Sequence, residues 1–232
     1  MSVPFAGRTV IDLSRPLRSG MTVFPGDPEV AIVPAAELEA DGFRVSALHL
    51  GSHSGTHVDA PSHSIADGAA LDGVSLDLLI GPLRVLRAVG RAPGSTITWD
   101  ELASQGESAC AGEIVVIETG WSAHFDEADA VDHPVLAREV AEQLLARGVR
   151  VIGVDALSPD ASAADDDGAW HLPVHELVLG AGGLILENLT NLAAAPDTGA
   201  EFVALPLNLP GLDGSPVRAI ALVSPPRPHR YR

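Results

Sequence analysis

Hydrophobic and polar positions alternate near the start of the chain, where Arg8-Thr9-Val10-Ile11-Asp12-Leu13-Ser14 reads as a first strand ended by Arg15-Pro16. A Pro- and Gly-rich loop follows over residues 21–28. Met21 and Phe24 at its tip either line a pocket for a flat substrate or simply cover the core. The pattern predicts further strands over residues 30–33, 43–50 and 81–89. Thr98 is placed as the N-cap of a short helix over residues 99–103, with Glu101 completing a capping box. Residues 113–119 and 149–155 are near-continuous apolar runs of the kind buried on both faces of a sheet. Between them lies the strongest helical pattern. Asp132-His133-Pro134 opens it, Leu136, Val140, Leu144 and Leu145 form its apolar stripe, and Gly148 stops it. Strand, helix and strand in that order imply a right-handed crossover and a parallel pair. Asp155 then falls near the carboxyl end of its strand, the edge where open α/β sheets place ligands. A short helix after Pro173, a glycine break at residues 180–183, and strands over 184–189, 202–207 and 217–223 complete the pattern. No repeat or linker divides it, so a single α/β domain over residues 1–232 is expected.

Composition narrows the partners. The 232 residues are 46% hydrophobic and 19% charged, enough for one full core. The net charge of −17, from 31 acidic and 14 basic residues, repels phosphate backbones and anionic membranes, so neither nucleic acid nor membrane is expected as a partner. Every basic residue is Arg, which removes lysine Schiff bases and phosphate-binding loop lysines. Arg, Asp, Gly or Pro interrupts each apolar stretch before it reaches spanning length, and no secretory leader is apparent. A cytoplasmic location is the expectation. The single cysteine, Cys110, excludes an internal disulfide and a cysteine-rich metal site. Residues 160–169, with Asp165-Asp166-Asp167 among them, read as a solvated acidic loop, because three adjacent carboxylates cannot converge on one ion.

The densest chemistry lies in residues 53–63, His-Ser-Gly-Thr-His-Val-Asp-Ala-Pro-Ser-His. His53, His57, Asp59 and His63 are separated by even intervals, which in an extended backbone sends their side chains to one side. A helix would splay them around its cylinder. Pro61 cannot donate to a ladder, so the strand is expected to stop near Asp59 and to leave His63 on the following turn. Imidazole and carboxylate suit zinc and similar divalent ions, and catalytic sites take about three such ligands from the protein. His53, His57 and Asp59 supply that set. Downstream, His175 and Glu187 flank a helix and its glycine turn, and folding that unit back can bring them together.

The 53–63 stretch resembles the His-x-Gly-Thr-His-x-Asp-x-x-x-His signature of the cyclase-like metal-dependent hydrolases, the family of bacterial kynurenine formamidase and isatin hydrolase. The resemblance extends through Asp12-Leu13-Ser14, Pro25-Gly26-Asp27, Gly153-Val154-Asp155, Glu187-Asn188-Leu189, Leu205-Pro206-Leu207 and Ser215-Pro216-Val217-Arg218-Ala219, nearly the whole chain. It implies a swivelling β/β/α fold with a mixed central sheet, assembled as a homodimer or homotetramer. It also implies that His53, His57 and Asp59 bind one divalent ion, that Asp59, His175 and Glu187 hold a second in two-metal members, and that His63 is the catalytic acid/base. The ion is Zn²⁺ or Mn²⁺, one or two per chain. A divalent ion lowers the pKa of water towards ~7 and polarises a carbonyl, and His63 can pass a proton to a leaving nitrogen.

The implied reaction is hydrolysis of a small amide, an aryl formamide such as N-formylkynurenine or a cyclic amide such as isatin. Phe24 is the candidate substrate contact. The alternatives are a metal-dependent cyclase or dehydratase of secondary metabolism and a non-catalytic binding protein on the same fold. Two departures bear on substrate: Phe24 stands where kynurenine formamidases carry Trp, and Glu118 where they carry Arg. The 160–169 segment with Trp170 is a further difference.

Overall fold

The computed structural model describes residues 7–165 and 168–225. In chain order its elements are β1 (Thr9–Asp12), β2 (Ala31–Ala36), α1 (Leu38–Asp41), β3 (Val45–His49), β4 (His57–Asp59), β5 (Ile80–Arg87), β6 (Thr96–Ile97), α2 (Trp99–Gly106), β7 (Ile114–Glu118), β8 (Val135–Leu136), α3 (Arg138–Ala146), β9 (Val151–Val154), α4 (Pro173–Gly180), β10 (Leu184–Glu187), β11 (Ala200–Val203), β12 (Gly214–Pro216) and β13 (Ile220–Val223). The main sheet runs β1-β13-β11-β5-β7-β9-β10-β4-β12. Its centre, β5-β7-β9-β10, is parallel, and the strands on both flanks pair antiparallel. The expected mixed α/β sheet is therefore present.

The apolar runs explain this centre. Each parallel strand must be buried on both sides, and alternate residues serve different cores. Val115 and Ile117 of β7 and Ile152 and Val154 of β9 meet Leu102 of α2, Val140 and Leu144 of α3 and Val178 of α4. Ile114 and Val116 face the other way, toward Val58, Phe202, Leu13 and Ala221. This second cluster draws on strands from both ends of the sheet, which requires the sheet to curl over its own face.

The helix expected from Pro134 starts later. Residues 130–132 form a turn of 3₁₀ helix, β8 pairs with β6, and α3 begins only at Arg138. Proline holds the preceding residue out of the α region. The next amides are then claimed by tertiary partners: Val135 N donates to Ser95 O, Leu136 N to Pro159 O and Ala137 N to Ile97 O. The stripe survives through Val140, Ala141 and Leu144, and Gly148 ends the unit with a φ of +88°. Asp155 directly follows β9, at its carboxyl end as expected; it is buried and accepts hydrogen bonds from Thr119 N, Thr119 Oγ1 and Gly120 N, so it ties β9 to the end of β7.

The strand expected over 202–207 is β11, shifted to Ala200–Val203, and residues 217–223 yield only β13 at their end. The strand expected over 30–33 extends to Ala36 and pairs with β3 as a separate hairpin. All five residues of β3 are exposed.

Candidate metal centre

The strand β4 carries the chemistry because of its neighbours. It lies between β10 and β12, with His57 opposite Glu187 and Pro216, and Asp59 opposite Ile185 and Gly214. Residues directly opposite across an antiparallel pair put their side chains on the same face, so the register brings Glu187 beside His57. Asp59, two residues along, shares that face. The helix α4 immediately before β10 places His175 over them.

His53 departs from the expectation. Of the four candidate side chains in the 53–63 stretch only His57 and Asp59 lie on the strand, while His53 sits on the turn before it and Pro61–His63 forms a 3₁₀ turn after it. The chain turns back at Gly55, with a φ of +64°, and a Cβ there would lie 2.7 Å from Leu17 Cδ2. Glycine is the residue that accepts that conformation. The cluster forms nonetheless: ligating atoms of His53, His57 and Asp59 lie within 4.8 Å of one another, as do those of Asp59, His175 and Glu187. Asp59 belongs to both sets. His53, His63 and Asp213 make a third group of the same size.

Hydrogen bonds fix which nitrogen each imidazole presents. His57 Nδ1 donates to Gly55 O at 2.8 Å, so its Nε2 faces Asp59 Oδ1 at 3.2 Å and Glu187 Oε2 at 3.3 Å. His175 Nδ1 lies 2.8 Å from Asp160 Oδ2, and its Nε2 lies 3.3 Å from Glu187 Oε1. His53 Nδ1 meets Asp59 Oδ1 at 2.7 Å. The nitrogen aimed inward is thus set by a partner on the other side of the ring, the arrangement that orients histidine ligands.

The donor set fits a divalent ion. His57 Nε2, Asp59 Oδ2 and Glu187 Oε1 are buried and make no aligned hydrogen bond, and buried polar atoms without partners are costly. In the third group the acceptor is already engaged, because Asp213 Oδ2 bonds His53 Nε2 at 2.9 Å and His63 Nδ1 at 3.3 Å.

Charge supports the same reading. Burial disfavours charge on His53, but its hydrogen bonds to Asp213 and Asp59 outweigh that and raise it to about 9. Burial likewise opposes charge on His57, yet the adjacent Asp59 and Glu187 raise it to about 10. Burial pushes Asp59 upward, but the His57 charge and the neighbouring His175 and His53 imidazoles hold it well below the usual carboxylate range. Buried carboxylates are being balanced by protons that an ion has to displace. Metal affinity should therefore climb as pH rises from 7 towards 9, by up to about tenfold per unit for each proton released. Chelator competition at pH 7, 8 and 9 measures it, and a pH-independent affinity would contradict the assignment.

Beside the cluster opens a cavity of about 350 Å³, lined by Phe24, Asp27, His63, Trp170, His175 and Asn188 among others. Phe24 and His63 both line it, whereas Met21 takes the core-covering alternative, buried with Val30, Phe125 and Leu157. Glu118 is remote from the cavity and paired with Arg87.

Sequence reasoning missed Asp160. Its segment read as solvated, but Asp160 is buried and accepts bonds from Val174 N, His175 N and His175 Nδ1, fastening the start of α4 and its histidine. Asp166 and Asp167 lie outside the described residues. Asp213 and Asn188 were also missed as site residues. The proline that starts α4, thirteen residues after Asp160, carried no signal of that contact.

Comparison with known proteins gives a consistent family. Residues 11–161 match the family model described as "Putative cyclase". The chain is 34% identical over 216 residues to the kynurenine formamidase of Paracidovorax citrulli (strain AAC00-1), covering 92% of this chain and 96% of that one. It superposes on an isatin hydrolase bound to the product analogue thioisatinate with a TM-score of 0.85, at 29% identity and 94% coverage of each chain. A structure described as a potential metal-dependent hydrolase with cyclase activity matches with a TM-score of 0.76, at 27% identity, over 94% of this chain and 100% of that one. With the register of β4, the shared Asp59 and these matches in agreement, the chain belongs to the cyclase-like metal-dependent hydrolase family.

Proposed function

We propose that this protein hydrolyses the C–N bond of a small aryl formamide or cyclic amide, with N-formylkynurenine and isatin as the type substrates. One observation carries the reading: the ligand sets that share Asp59 sit in the wall of an open cavity that also presents His63. A purely structural ion is enclosed by its ligands and has no need of such access, which disfavours the binding-protein reading. The domain spans residues 1–232.

His53, His57 and Asp59 would hold one divalent ion, and Asp59, His175 and Glu187 a second; Zn²⁺ and Mn²⁺ both suit these donors. When bound, such an ion supplies water of lowered pKa and polarises the amide carbonyl. The protein's own groups do the rest. His63, with Nδ1 held by Asp213, has its other nitrogen free to carry a proton to the leaving amine. Asn188 also lines the cavity.

Phe24 and Trp170 converge at the rim with ring centroids 5.2 Å apart and planes tilted by 48°. An aryl ring entering the cavity finds faces and edges on both. The Trp170→Ala variant should raise KM for an aryl amide about 3- to 10-fold with kcat nearly unchanged, the loss expected for one aromatic contact. Equal KM for wild type and variant would remove Trp170 from the substrate site. The reading as a whole is tested by incubating the purified protein with N-formylkynurenine and with isatin, with and without Zn²⁺ or Mn²⁺. Metal-dependent release of formate or isatinate is expected. Turnover of neither, with metal bound, would favour the cyclase or dehydratase alternative.

The β2–β3 hairpin supports a homodimer or homotetramer. Two strands alone are marginal in water, yet this hairpin and the segment joining it expose Phe43 at 56% and Leu48 at 62% beside Val33, Leu38 and Val45. Light scattering should give a dimer or tetramer, with Leu48→Glu shifting it toward monomer. A monomeric wild type would contradict it. No helix among the described residues is long and apolar enough to cross a membrane. We infer a cytoplasmic setting from the cysteine usage, a single Cys110.

A further inference from the structure

We propose that Asp213 is the positioning residue of this site, one carboxylate oxygen fixing the orientation of both His53 and His63. The inference rests on His53 as a metal ligand and His63 as the proton carrier.

Asp213 is built into the metal strand. Its carbonyl accepts from Ala60 N at 2.8 Å, and the carbonyl of Leu212 accepts from Leu71 N at 2.8 Å, so the backbone is pinned before and at the residue. Gly214, next in sequence, pairs opposite Asp59 in β12. A Cβ at Gly214 would lie 2.7 Å from His53 Cε1, so this glycine is the seat on which the imidazole rests. The carboxylate is held as well, since Ser52 Oγ donates to Oδ1 at 3.0 Å. What remains is Oδ2, facing His53 Nε2 at 2.9 Å and His63 Nδ1 at 3.3 Å.

The consequence follows from the count of ring protons. A neutral imidazole has one N–H. With an ion held at the Nδ1 that faces Asp59, the one proton left on His53 would sit on Nε2, donated to Asp213. His63 donates from Nδ1 to the same oxygen, which leaves its Nε2 with the lone pair that takes up a proton and returns it. The two rings lie together, with centroids 4.1 Å apart and planes at 43°. A single oxygen thus selects the tautomer of a ligand and of the acid/base, and keeps them in fixed relation. Carboxylates behind metal-bound histidines raise the basicity of the ligand and orient it. Here the same group also orients the proton carrier.

The test compares wild type, Asp213→Asn, His63→Ala and the double variant as metal-loaded proteins. Asp213→Asn should lower kcat about 10- to 100-fold with KM changed less than about threefold, and weaken metal affinity about tenfold by chelator competition. In the His63→Ala background it should lower kcat no further while still weakening the metal. Ser52→Ala, which removes only the bond to Oδ1, should give a smaller loss in the same direction and keeps the test open if Asp213→Asn folds poorly. Wild-type kcat and metal affinity in Asp213→Asn, or losses that multiply in the double variant, would overturn the assignment. Failure of the underlying reading looks different: His63→Ala would then be fully active, or the wild type would turn over no amide.

Discussion

The Asp59→Asn variant is expected to lose amide hydrolysis by about 10³-fold or more and to lose metal from both ligand sets. Asp59 is the residue those sets share: Oδ1 lies 2.7 Å from His53 Nδ1 and 3.2 Å from His57 Nε2, while Oδ2 is buried without a hydrogen bond, 3.7 Å from His175 Nε2. An ion contributes several kcal/mol of transition-state charge stabilisation, and each 1.36 kcal/mol is a decade in rate. An amide in place of the carboxylate removes the negative charge and replaces one acceptor oxygen by a donor aimed at the same nitrogens. His175→Ala or Glu187→Ala should be milder in metal content, since each spares His53, His57 and Asp59. Elemental analysis, read beside thermal unfolding to confirm folding, distinguishes these outcomes. Stoichiometric metal in Asp59→Asn would exclude Asp59 as the shared ligand.

The second large effect falls on His63. His63→Ala should keep wild-type metal content and lose about 10²- to 10⁴-fold in kcat, the usual contribution of a positioned general acid or base. Its imidazole is hydrogen-bonded to Asp213, and the ring lies over the site, with its centroid 5.7 Å from that of His175, without belonging to either set that includes Asp59. Loss of metal together with activity would instead make His63 a ligand, through the group it forms with His53 and Asp213.

Much of this was legible because the informative contacts are local. The buried runs at 113–119 and 149–155 could be read as parallel strands since burial on both faces leaves no polar alternation. His57 and Asp59 share a face by strand parity alone. The rest depends on contacts that no short window contains. His53 was assigned by even spacing, but a left-handed glycine and a turn deliver it. The late start of α3 depends on carbonyls of Ser95, Ile97 and Pro159 reaching its first amides. Asp160 looked like one of several acidic loop residues, and only the fold puts it under the amides of α4. Asp213, 150 or more residues from the histidines it bonds, had no sequence signal beyond its place before Gly214. The candidate metal ligands that resemblance to a family proposes and the carboxylates that geometry adds behind them lie in one cluster.

The account depends most on groups from two distant segments meeting around a divalent ion. Anomalous diffraction from crystals of the metal-loaded protein tests this most directly. A peak about 2.0–2.3 Å from nitrogens or oxygens of His53, His57 and Asp59, with or without a second at His175 and Glu187, is the expected result. Stoichiometric metal located elsewhere, with no density beside Asp59, would contradict it.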